Sequence, residues 1–306
     1  MTISVVIPYY NESETLLNTL HSLRNQTLKP DEIIFVDSGS TDDSTTIIKL
    51  FSENNKNCNI RSYKSGSMSP STSINLGIKK STSDIIAYTD CGLNIPNNWL
   101  ESNYKLMMKT NAQVVSPSFF TEGKTTIDKS FVAHTYGFKS YTSVLPGSLI
   151  KKSLIENVGY FLPDVRANYD VDFINKINIL GIKRIINKTI TFKYMDIEYC
   201  NSFTSGFFKI SKYSENAWKV KNDLKPFAYM IGIVVLILSI YFDYISKIIL
   251  FYLVLRGYIF PLLKSSYELI LNIRLLLMLP ITGIVIDFSR IIGYLHLHKI
   301  INRSVT

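Results

Sequence analysis

Two aspartates follow apolar runs that are typical of buried strands. Asp37 comes directly after the run at residues 32–36 and opens a turn rich in serine and glycine, and Asp90 ends the run that starts at Asp84. A carboxylate at such a position can accept hydrogen bonds from a base or a ribose, or help to hold a divalent ion that neutralises a diphosphate. The simpler interpretation is that each aspartate only caps a turn between a strand and a helix.

A third acidic pair, Asp170 and Asp172, begins a predicted helix over residues 170–180. The helix dipole stabilises carboxylates at this end without any catalytic role. The functional interpretation is that one carboxylate lies at the edge of a ligand crevice and takes a proton from an acceptor hydroxyl, which a general base can do. The two residues alone leave both interpretations open.

The elements around these acids alternate between strand and helix. Near-continuous β-branched runs are typical of strands buried on both faces of a parallel sheet. The predicted strands cover residues 3–7, 32–36, 60–63, 84–90, 114–115 and 190–194, and the predicted helices include 71–80, 152–157 and 170–180. This order predicts a doubly wound α/β sheet with right-handed crossovers. Because ligands bind such sheets beyond the carboxyl ends of the strands, residues 8–12, 37–40 and 90–92 are predicted to line one crevice.

The composition excludes two classes of protein and divides the chain. Of 306 residues, 46% are apolar and three are cysteine, and the mean hydropathy is +0.14, which rules out a disordered chain and a disulfide scaffold. Residues 1–225 carry 47 of the 57 charged side chains, whereas residues 226–306 carry only 7 basic and 3 acidic ones. A soluble front part followed by a hydrophobic end is therefore predicted.

The hydrophobic end is predicted to associate with a membrane. Residues 226–243 and 247–263 are predicted spans, because about 17 to 25 residues cross the hydrocarbon. Residues 269–290 contain Arg274, Pro280 and Asp287 and are predicted to form an interfacial or re-entrant helix. The predicted domains are a catalytic domain at 1–205, a basic juxtamembrane segment at 206–225 and a membrane region at 226–306.

Several features predict that the catalytic domain is cytoplasmic. Lysines between residues 209 and 225 keep that flank inside by the positive-inside rule, and the N-terminus fits a first strand better than a signal peptide. Cys58, Cys91 and Cys200 form no paired motif, which fits a reducing compartment. The four histidines fit ordinary core or surface positions better than ligand positions. The excess positive charge is spread too thinly to indicate nucleic-acid binding.

Three ordered motifs resemble those of the family 2 glycosyltransferases, which have a GT-A fold. They are Val-Val-Ile-Pro-Tyr-Tyr-Asn-Glu at 5–12, Asp-Glu-Ile-Ile-Phe-Val-Asp-Ser-Gly-Ser-Thr-Asp at 31–42, and Asp-Ile-Ile-Ala-Tyr-Thr-Asp at 84–90 followed by Trp-Leu-Glu at 99–101. The similarity continues through Pro-Gly-Ser-Leu-Ile at 146–150, Val-Gly-Tyr at 158–160 and Asp-Val-Asp-Phe at 170–173. The hydrophobic tail is similar to that of membrane-attached members. The resemblance implies a GT-A-like, doubly wound mixed sheet that is mostly parallel, with a C-terminal hydrophobic helical region.

The resemblance also implies a reaction and a set of site residues. The reaction is transfer of a sugar, with inversion, from a nucleotide-diphosphate sugar to a lipid-linked or cell-surface glycan acceptor at a membrane. The residues that match nucleotide-sugar-binding positions of the family are Pro8, Tyr10, Glu12, Asp37 and Asp90. Asp90 also matches the position near the metal, and Asp170 matches the general base. A divalent cation, Mg²⁺ or Mn²⁺, would stabilise the departing diphosphate.

The sequence departs from the family pattern at three places. Gly92 replaces the second acid of the Asp-x-Asp motif, which puts metal dependence in question, although Thr-Asp-x-Gly is similar to a subtype of the family. Tyr169 replaces the acid that commonly precedes the base, and Ile74-Asn75 replaces an Arg-Asn pair. The alternative function is therefore a catalytically degenerate protein that binds a nucleotide sugar or a partner. Another α/β nucleotide enzyme, such as a methyltransferase, is a third hypothesis, and the lack of a Gly-x-Gly-x-x-Gly turn after the first strand argues against a dinucleotide enzyme.

Overall fold

The fold of the front part is a single mixed sheet flanked by helices. The computed structural model describes residues 1–56, 58–66, 69–142, 144–194, 200–242, 244–265 and 272–297. The strands are β1 (Ile3–Tyr9), β2 (Glu32–Asp37), β3 (Ile60–Lys64), β4 (Ile85–Tyr88), β5 (Val114–Thr121), β6 (Ser148–Lys151) and β7 (Arg184–Tyr194). Their order in the sheet is β3-β2-β1-β4-β6-β5-β7. β1 pairs in parallel with β2 and β4, β2 pairs in parallel with β3, and β6 pairs antiparallel with β4 and β5. The predicted fold class is confirmed.

In the described part of the chain, seven helices alternate with the strands of the front part. They are α1 (Leu16–Arg24), α2 (Ser44–Asn54), α3 (Pro70–Lys80), α4 (Trp99–Thr110), α5 (Thr126–Thr135), α6 (Lys152–Val158) and α7 (Tyr169–Ile179). Two of them, α4 and α5, were not predicted from the sequence. Every residue of β1 and β2 is buried, because helices cover the sheet on both faces. On α3, a Cβ at Gly77 would collide with Val6 of β1, so glycine lets this helix lie close to the sheet.

The chain divides into two compact units, each built from separate segments. Unit 1 comprises Met1–Phe119 and Thr142–Tyr194, and unit 2 comprises Phe120–Tyr141 and Met195–Thr306. The helices of unit 2 after α5 are α8 (Phe203–Ser214), α9 (Lys225–Tyr241), α10 (Ile245–Val254), α11 (Phe260–Lys264) and α12 (Ile273–Tyr294). The domain boundaries expected from the sequence stay a prediction.

Among the described residues of unit 2, two helices are long and apolar enough to cross a membrane. One runs from Ile245 to Lys264, through α10, a π-helical turn and α11, and the other is α12. The predicted first span is an apolar helix of 17 residues, α9, and the third segment forms a continuous helix through Pro280. Residues 269–271, Lys299 and Arg303 lie outside the described residues. The number of spans and the interfacial placement of the third segment stay predictions.

A buried polar network joins the helices of unit 2. Arg256, in the π-helical turn, donates from Nε and Nη2 to the Asp287 carboxylate on α12 over 2.7 and 3.0 Å. Its Nη1 lies 2.6 Å from Nδ1 of His134, and Nε2 of that histidine lies 2.7 Å from the Leu279 carbonyl oxygen. Because the carbonyl can only accept, the histidine is protonated at Nε2 and accepts from the arginine at Nδ1. The network ties α5, the π-helical turn and α12 together.

Candidate active site

The strand pairings bring two of the predicted acids to one edge of the sheet. Tyr9 is paired with Asp37, and Val6 is paired with Tyr88, two residues before Asp90. Since β1, β2 and β4 run in parallel, the loops that follow them start from the same edge. The predicted convergence of these loops therefore has its basis in the register.

Asp37 is buried and holds its own turn. Its Oδ1 accepts hydrogen bonds from the backbone N–H groups of Gly39 and Ser40, over 3.1 and 2.8 Å. Gly39 has a φ of 98°, a left-handed conformation that glycine adopts without strain. One carboxylate oxygen of Asp37 therefore caps the turn, as the simpler interpretation of this residue predicted. The same two hydrogen bonds fix the orientation of the second carboxylate oxygen.

The loop after β1 carries the other predicted nucleotide contacts. Pro8 is buried at the end of β1, whereas Tyr10 and Glu12 are half-buried. Burial raises the pKa of Glu12, and the nearby Asp42 carboxylate adds to this effect, while a hydrogen bond from Thr15 opposes it. Glu12 therefore lies in a partly buried position close to a second carboxylate, and its protonated form is favoured relative to an exposed glutamate.

Asp90 is linked to the helix that carries Asp170. The Tyr88 hydroxyl lies 3.4 Å from Oδ1 of Asp90 and 3.0 Å from the Tyr169 hydroxyl. Because burial and the Asp90 charge raise the pKa of Tyr88 well above its usual value, this hydroxyl stays protonated and donates a hydrogen bond to the Asp90 carboxylate. Tyr169 then donates to Tyr88. The two tyrosines connect the end of β4 to the first turn of α7.

Asp170 lies in the first turn of α7 with one backbone bond at its carboxylate. Oδ1 accepts from the Val171 N–H over 2.9 Å, and the Leu145 N–H also stabilises the charge. Burial raises the pKa of Asp170 to about 6, against the N–H groups of Val171 and of Asp170 itself, the positive charge of Arg184 and the Leu145 N–H. A carboxyl group with such a pKa is ionised at neutral pH and can still accept a proton.

The second acid of the pair has a structural role. Asp172 is buried, and one of its oxygens lies 2.8 Å from Nζ of Lys176, one helical turn further along α7. The loop before α7 is held by Asn75, whose amide exchanges two hydrogen bonds with the backbone of Phe161, over 2.8 and 3.0 Å. Asp172 is thus paired within α7 and the loop before this helix is held in place, while the role of Asp170 as a base stays a prediction.

The side chains near Asp90 give limited support for a metal ion. Within the described ranges, no three or more His, Cys, Asp or Glu side chains are grouped so that they could hold one. Gly92 has a φ of 74°, and a Cβ there would come within 3.4 Å of the Thr15 hydroxyl, so the backbone favours glycine over an acid at this position. This set of side chains does not fit a cation held by protein ligands alone.

Two groups of this site were not predicted from the sequence. The Tyr88 hydroxyl belongs to a residue that the strand pattern assigns only to the core, and Arg184 precedes the predicted strand at 190–194. One sequence signal was available for the Tyr88 hydroxyl: Tyr169 replaces the acid that is common in the family, and a tyrosine needs a different hydrogen-bond partner from an acid. No sequence signal indicated the second.

A sequence profile of a known family covers every site residue that was predicted from the sequence. The sequence profile of glycosyl transferase family 2 matches residues 4–170, more than half of the chain and every predicted site residue. The chain belongs to glycosyl transferase family 2. This result agrees with the resemblance that the motifs carry, and the roles of the individual residues in this family 2 member stay predictions.

Two curated relatives of this family 2 chain illustrate the range of sequence identity and of the length matched. The cholesterol galactosyltransferase of Borreliella burgdorferi is 30% identical over 118 residues, which are 39% of this chain and 32% of that protein. The glycosyltransferase AglE of Haloferax volcanii is 26% identical over 168 residues, 52% of each chain. The chain thus spans about half or less of these relatives.

Two solved structures share the fold. The mannosyltransferase PcManGT from Pyrobaculum calidifontis, in complex with GDP-Man and Mn²⁺, has a TM-score of 0.61 at 17% identity, over 94% of this chain and 86% of that one. Residues 1–349 of TarS from S. aureus, in complex with UDP-GlcNAc, have a TM-score of 0.51 at 16% identity, over 73% and 68%. Both similarities support the GT-A-like fold.

Proposed function

We propose that the protein is a membrane-anchored, inverting glycosyltransferase that uses a nucleotide-diphosphate sugar. The observation that carries the proposal is the chain of contacts from Asp90 through the Tyr88 and Tyr169 hydroxyls to the helix of Asp170. It joins a carboxylate at the donor side to a carboxylate suited to act as a base. Family membership and the similarity to the Borreliella cholesterol galactosyltransferase support sugar transfer.

The proposed reaction is a direct displacement at the anomeric carbon. Asp170 takes the proton of an acceptor hydroxyl while the acceptor oxygen bonds to the anomeric carbon. The bond from that carbon to the diphosphate oxygen breaks, and the nucleoside diphosphate leaves with the electron pair. Asp37, Asp90 and the loop of residues 8–12 hold the donor in line with the base, and positioning of this kind supplies about 7 to 11 kcal/mol in well-oriented reactions.

The apolar surface of unit 2 supports membrane attachment. Large side chains on α9 and α10 are exposed, among them Ile231, Ile237, Leu250 and Phe251, each by more than half. An apolar surface of this extent requires a cover, and a bilayer supplies it. We propose that the catalytic part lies on the cytoplasmic side, where lysines between residues 209 and 225 meet anionic lipid, and that the acceptor is a lipid-linked or cell-surface glycan.

One observation favours a different function. Gly92, whose left-handed backbone favours glycine, stands in place of the second acid of the motif, which fits a protein that binds a nucleotide sugar without turning it over. The two functions differ at Asp170. An enzyme loses transfer on Asp170→Asn and keeps its affinity for nucleotide, whereas a binding protein has no turnover to lose.

A thermal-shift screen tests the proposed function. The full chain in detergent is heated with UDP-, GDP- and dTDP-sugars, each with and without Mn²⁺. A ligand at about 100 times its Kd stabilises a protein by about 2.7 kcal/mol, so one class of nucleotide is expected to raise the melting temperature. If the nucleotide sugar raises the melting temperature further when Mn²⁺ is present, the protein binds the cation together with the diphosphate, which then supplies part of the coordination. If no nucleotide sugar shifts the melting temperature, the proposal is wrong.

A further inference from the structure

A tyrosine hydroxyl is buried at the end of the central strand β4. Tyr88 is the last residue of β4, and its side chain is fully buried within a large apolar cluster of unit 1. A hydroxyl in such a cluster costs free energy unless it is hydrogen-bonded, whereas a phenylalanine ring would fill the same space without that cost. The hydroxyl is therefore accounted for by its hydrogen bonds, which it makes with Asp90 and Tyr169.

The position of the Tyr88 ring is fixed by the strand and by a neighbouring ring. The residue is paired with Val6 of β1, and its carbonyl oxygen accepts from the Gly147 N–H over 2.6 Å. The buried Phe161 ring contacts both tyrosines, with its centre 5.8 Å from that of Tyr88 and 6.0 Å from that of Tyr169. A hydroxyl on a ring that is held in this way has a fixed position.

The Tyr88 hydroxyl has one proton, and its neighbours decide where that proton points. The Asp90 carboxylate can only accept, and it lies 3.4 Å away, whereas the Tyr169 hydroxyl lies 3.0 Å away and can donate. A carboxylate at position 169, where the family pattern commonly has an acid, would compete with Asp90 for this proton. With a tyrosine there, the Tyr88 hydroxyl accepts from one neighbour and donates to the other.

The contact between Tyr88 and Asp90 suits a carboxylate that binds a ligand. At 3.4 Å it is longer than a typical O–H···O hydrogen bond of about 2.7 to 2.8 Å. Hydrogen bonds in catalytic sites are often long without substrate and tighten when the substrate binds. Asp90 is half-buried, so a ligand can reach its carboxylate while Tyr88 directs Oδ1 from inside the protein.

We propose that Tyr88 is a positioning residue for the donor: its hydroxyl directs the Asp90 carboxylate towards the nucleotide-diphosphate sugar, and Tyr169 orients that hydroxyl from the first turn of α7. This inference rests on the proposed function, because it places Asp90 at the donor. Neither tyrosine touches the donor in this scheme, and both act through Asp90. Because Gly92 replaces the second acid of the motif, the tyrosine pair fixes the acid that remains.

Phenylalanine substitutions test the two hydroxyls. Tyr88→Phe and Tyr169→Phe each remove one hydroxyl and keep the ring, and the double variant removes both. The matched control is Tyr104→Phe, which removes the same atom from a half-buried tyrosine on α4. Asp90→Ala provides the reference for loss of the carboxylate. The readout is the Kd of UDP-galactose, UDP-N-acetylglucosamine and GDP-mannose with Mn²⁺, from calorimetric titration of the full chain in detergent.

The variants are expected to differ in donor affinity. Asp90→Ala raises the Kd most, on the order of 10 to 100-fold, which is the usual value of a hydrogen bond made by a charged group. Tyr88→Phe raises it by about 3 to 10-fold, because the carboxylate stays but is no longer directed. Tyr169→Phe gives a smaller rise of about 2 to 5-fold. The double variant matches Tyr88→Phe, because Tyr169 acts only through Tyr88, and Tyr104→Phe keeps the wild-type Kd.

Other outcomes distinguish failure of this inference from failure of the proposed function. If the wild type binds none of the three donors, the proposed function is wrong regardless of the tyrosines. If Asp90→Ala weakens donor binding and Tyr88→Phe only lowers the melting temperature, the tyrosine merely packs the core and this inference alone is wrong. Unchanged affinity in Asp90→Ala also overturns it, since Tyr88 then has no group through which to act. If Tyr88→Phe fails to unfold cooperatively, Tyr169→Phe decides: a wild-type Kd overturns the inference.

Discussion

Gly147 allows a quantitative test of the packing beside the site. It has a φ of 76°, and a Cβ there would lie 2.8 Å from two ring carbons of Phe192 and 2.8 Å from Cγ of Pro117. The left-handed conformation costs an alanine about 1 to 2 kcal/mol, and overpacking of a filled core costs about 1 to 3 kcal/mol. We therefore expect Gly147→Ala to lower the free energy of unfolding of unit 1 by about 2 to 5 kcal/mol.

A second glycine separates the two costs. Gly181 has a φ of 67°, and nothing lies within 4 Å of a Cβ built there. Gly181→Ala should lose only the conformational part, about 1 to 2 kcal/mol. The difference between the two variants measures the steric contact with Phe192 and Pro117.

Trp99 reports this region in a urea titration. Its indole Nε1 donates to the Gly147 carbonyl oxygen over 2.7 Å, and its ring centre lies 5.4 Å from that of Phe192. The chain has two tryptophans, so a Trp218→Phe background leaves Trp99 as the single fluorophore. Equal destabilisation by Gly147→Ala and Gly181→Ala would refute the packing around Gly147.

Three further predictions concern other contacts. Asn75→Ala leaves the N–H and C=O of Phe161 without their partner and should cost about 2 to 6 kcal/mol in the same titration; a loss below about 1 kcal/mol would contradict the two hydrogen bonds. Arg256→Met or Asp287→Leu alone leaves a buried charge and should cost about 3 to 5 kcal/mol in thermal unfolding, whereas the double variant should lose less than either single one; strict additivity would exclude the coupling. Burial, followed by the Arg256 charge, lowers the pKa of His134 to about 3, so the unfolded chain takes up a proton below about pH 6.5 that the native state does not. Stability should fall as pH drops from 6.5 towards 3, by about 1.4 kcal/mol per unit, and an unchanged slope in His134→Gln would assign that dependence to other groups.

The sheet could be predicted because its central strands are buried on both faces. Such strands have near-continuous apolar runs, and the predicted positions of β1, β2 and β4 agree with the structure to within two residues. The last strand was predicted at residues 190–194 and runs from Arg184 to Tyr194. It lies at the edge of the sheet, and residues 184–189 form neither a continuous apolar run nor a strict alternation, so its first half lacks the signal of a strand.

The site could be predicted only in part, for a similar reason. Asp37 and Asp90 follow strands whose parallel order places both at one edge, and this inference needs no side-chain geometry. Arg184 acts on carbonyl groups about 40 residues earlier in the chain, and His134 binds Arg256 across 122 residues. Contacts of this range depend on the packing of separate elements, and neither periodicity nor local motifs encode them.

Calorimetric titration of Asp170→Asn with the nucleotide sugar that best stabilises the wild type, combined with its turnover, tests the assignment of the base most directly. The substitution removes the proton acceptor and leaves the donor side intact, so the dissociation constant should stay close to that of the wild type. Turnover should fall by about 10²-fold or more, the usual contribution of a general base. Undiminished turnover, or loss of nucleotide affinity together with turnover, would contradict the role of Asp170.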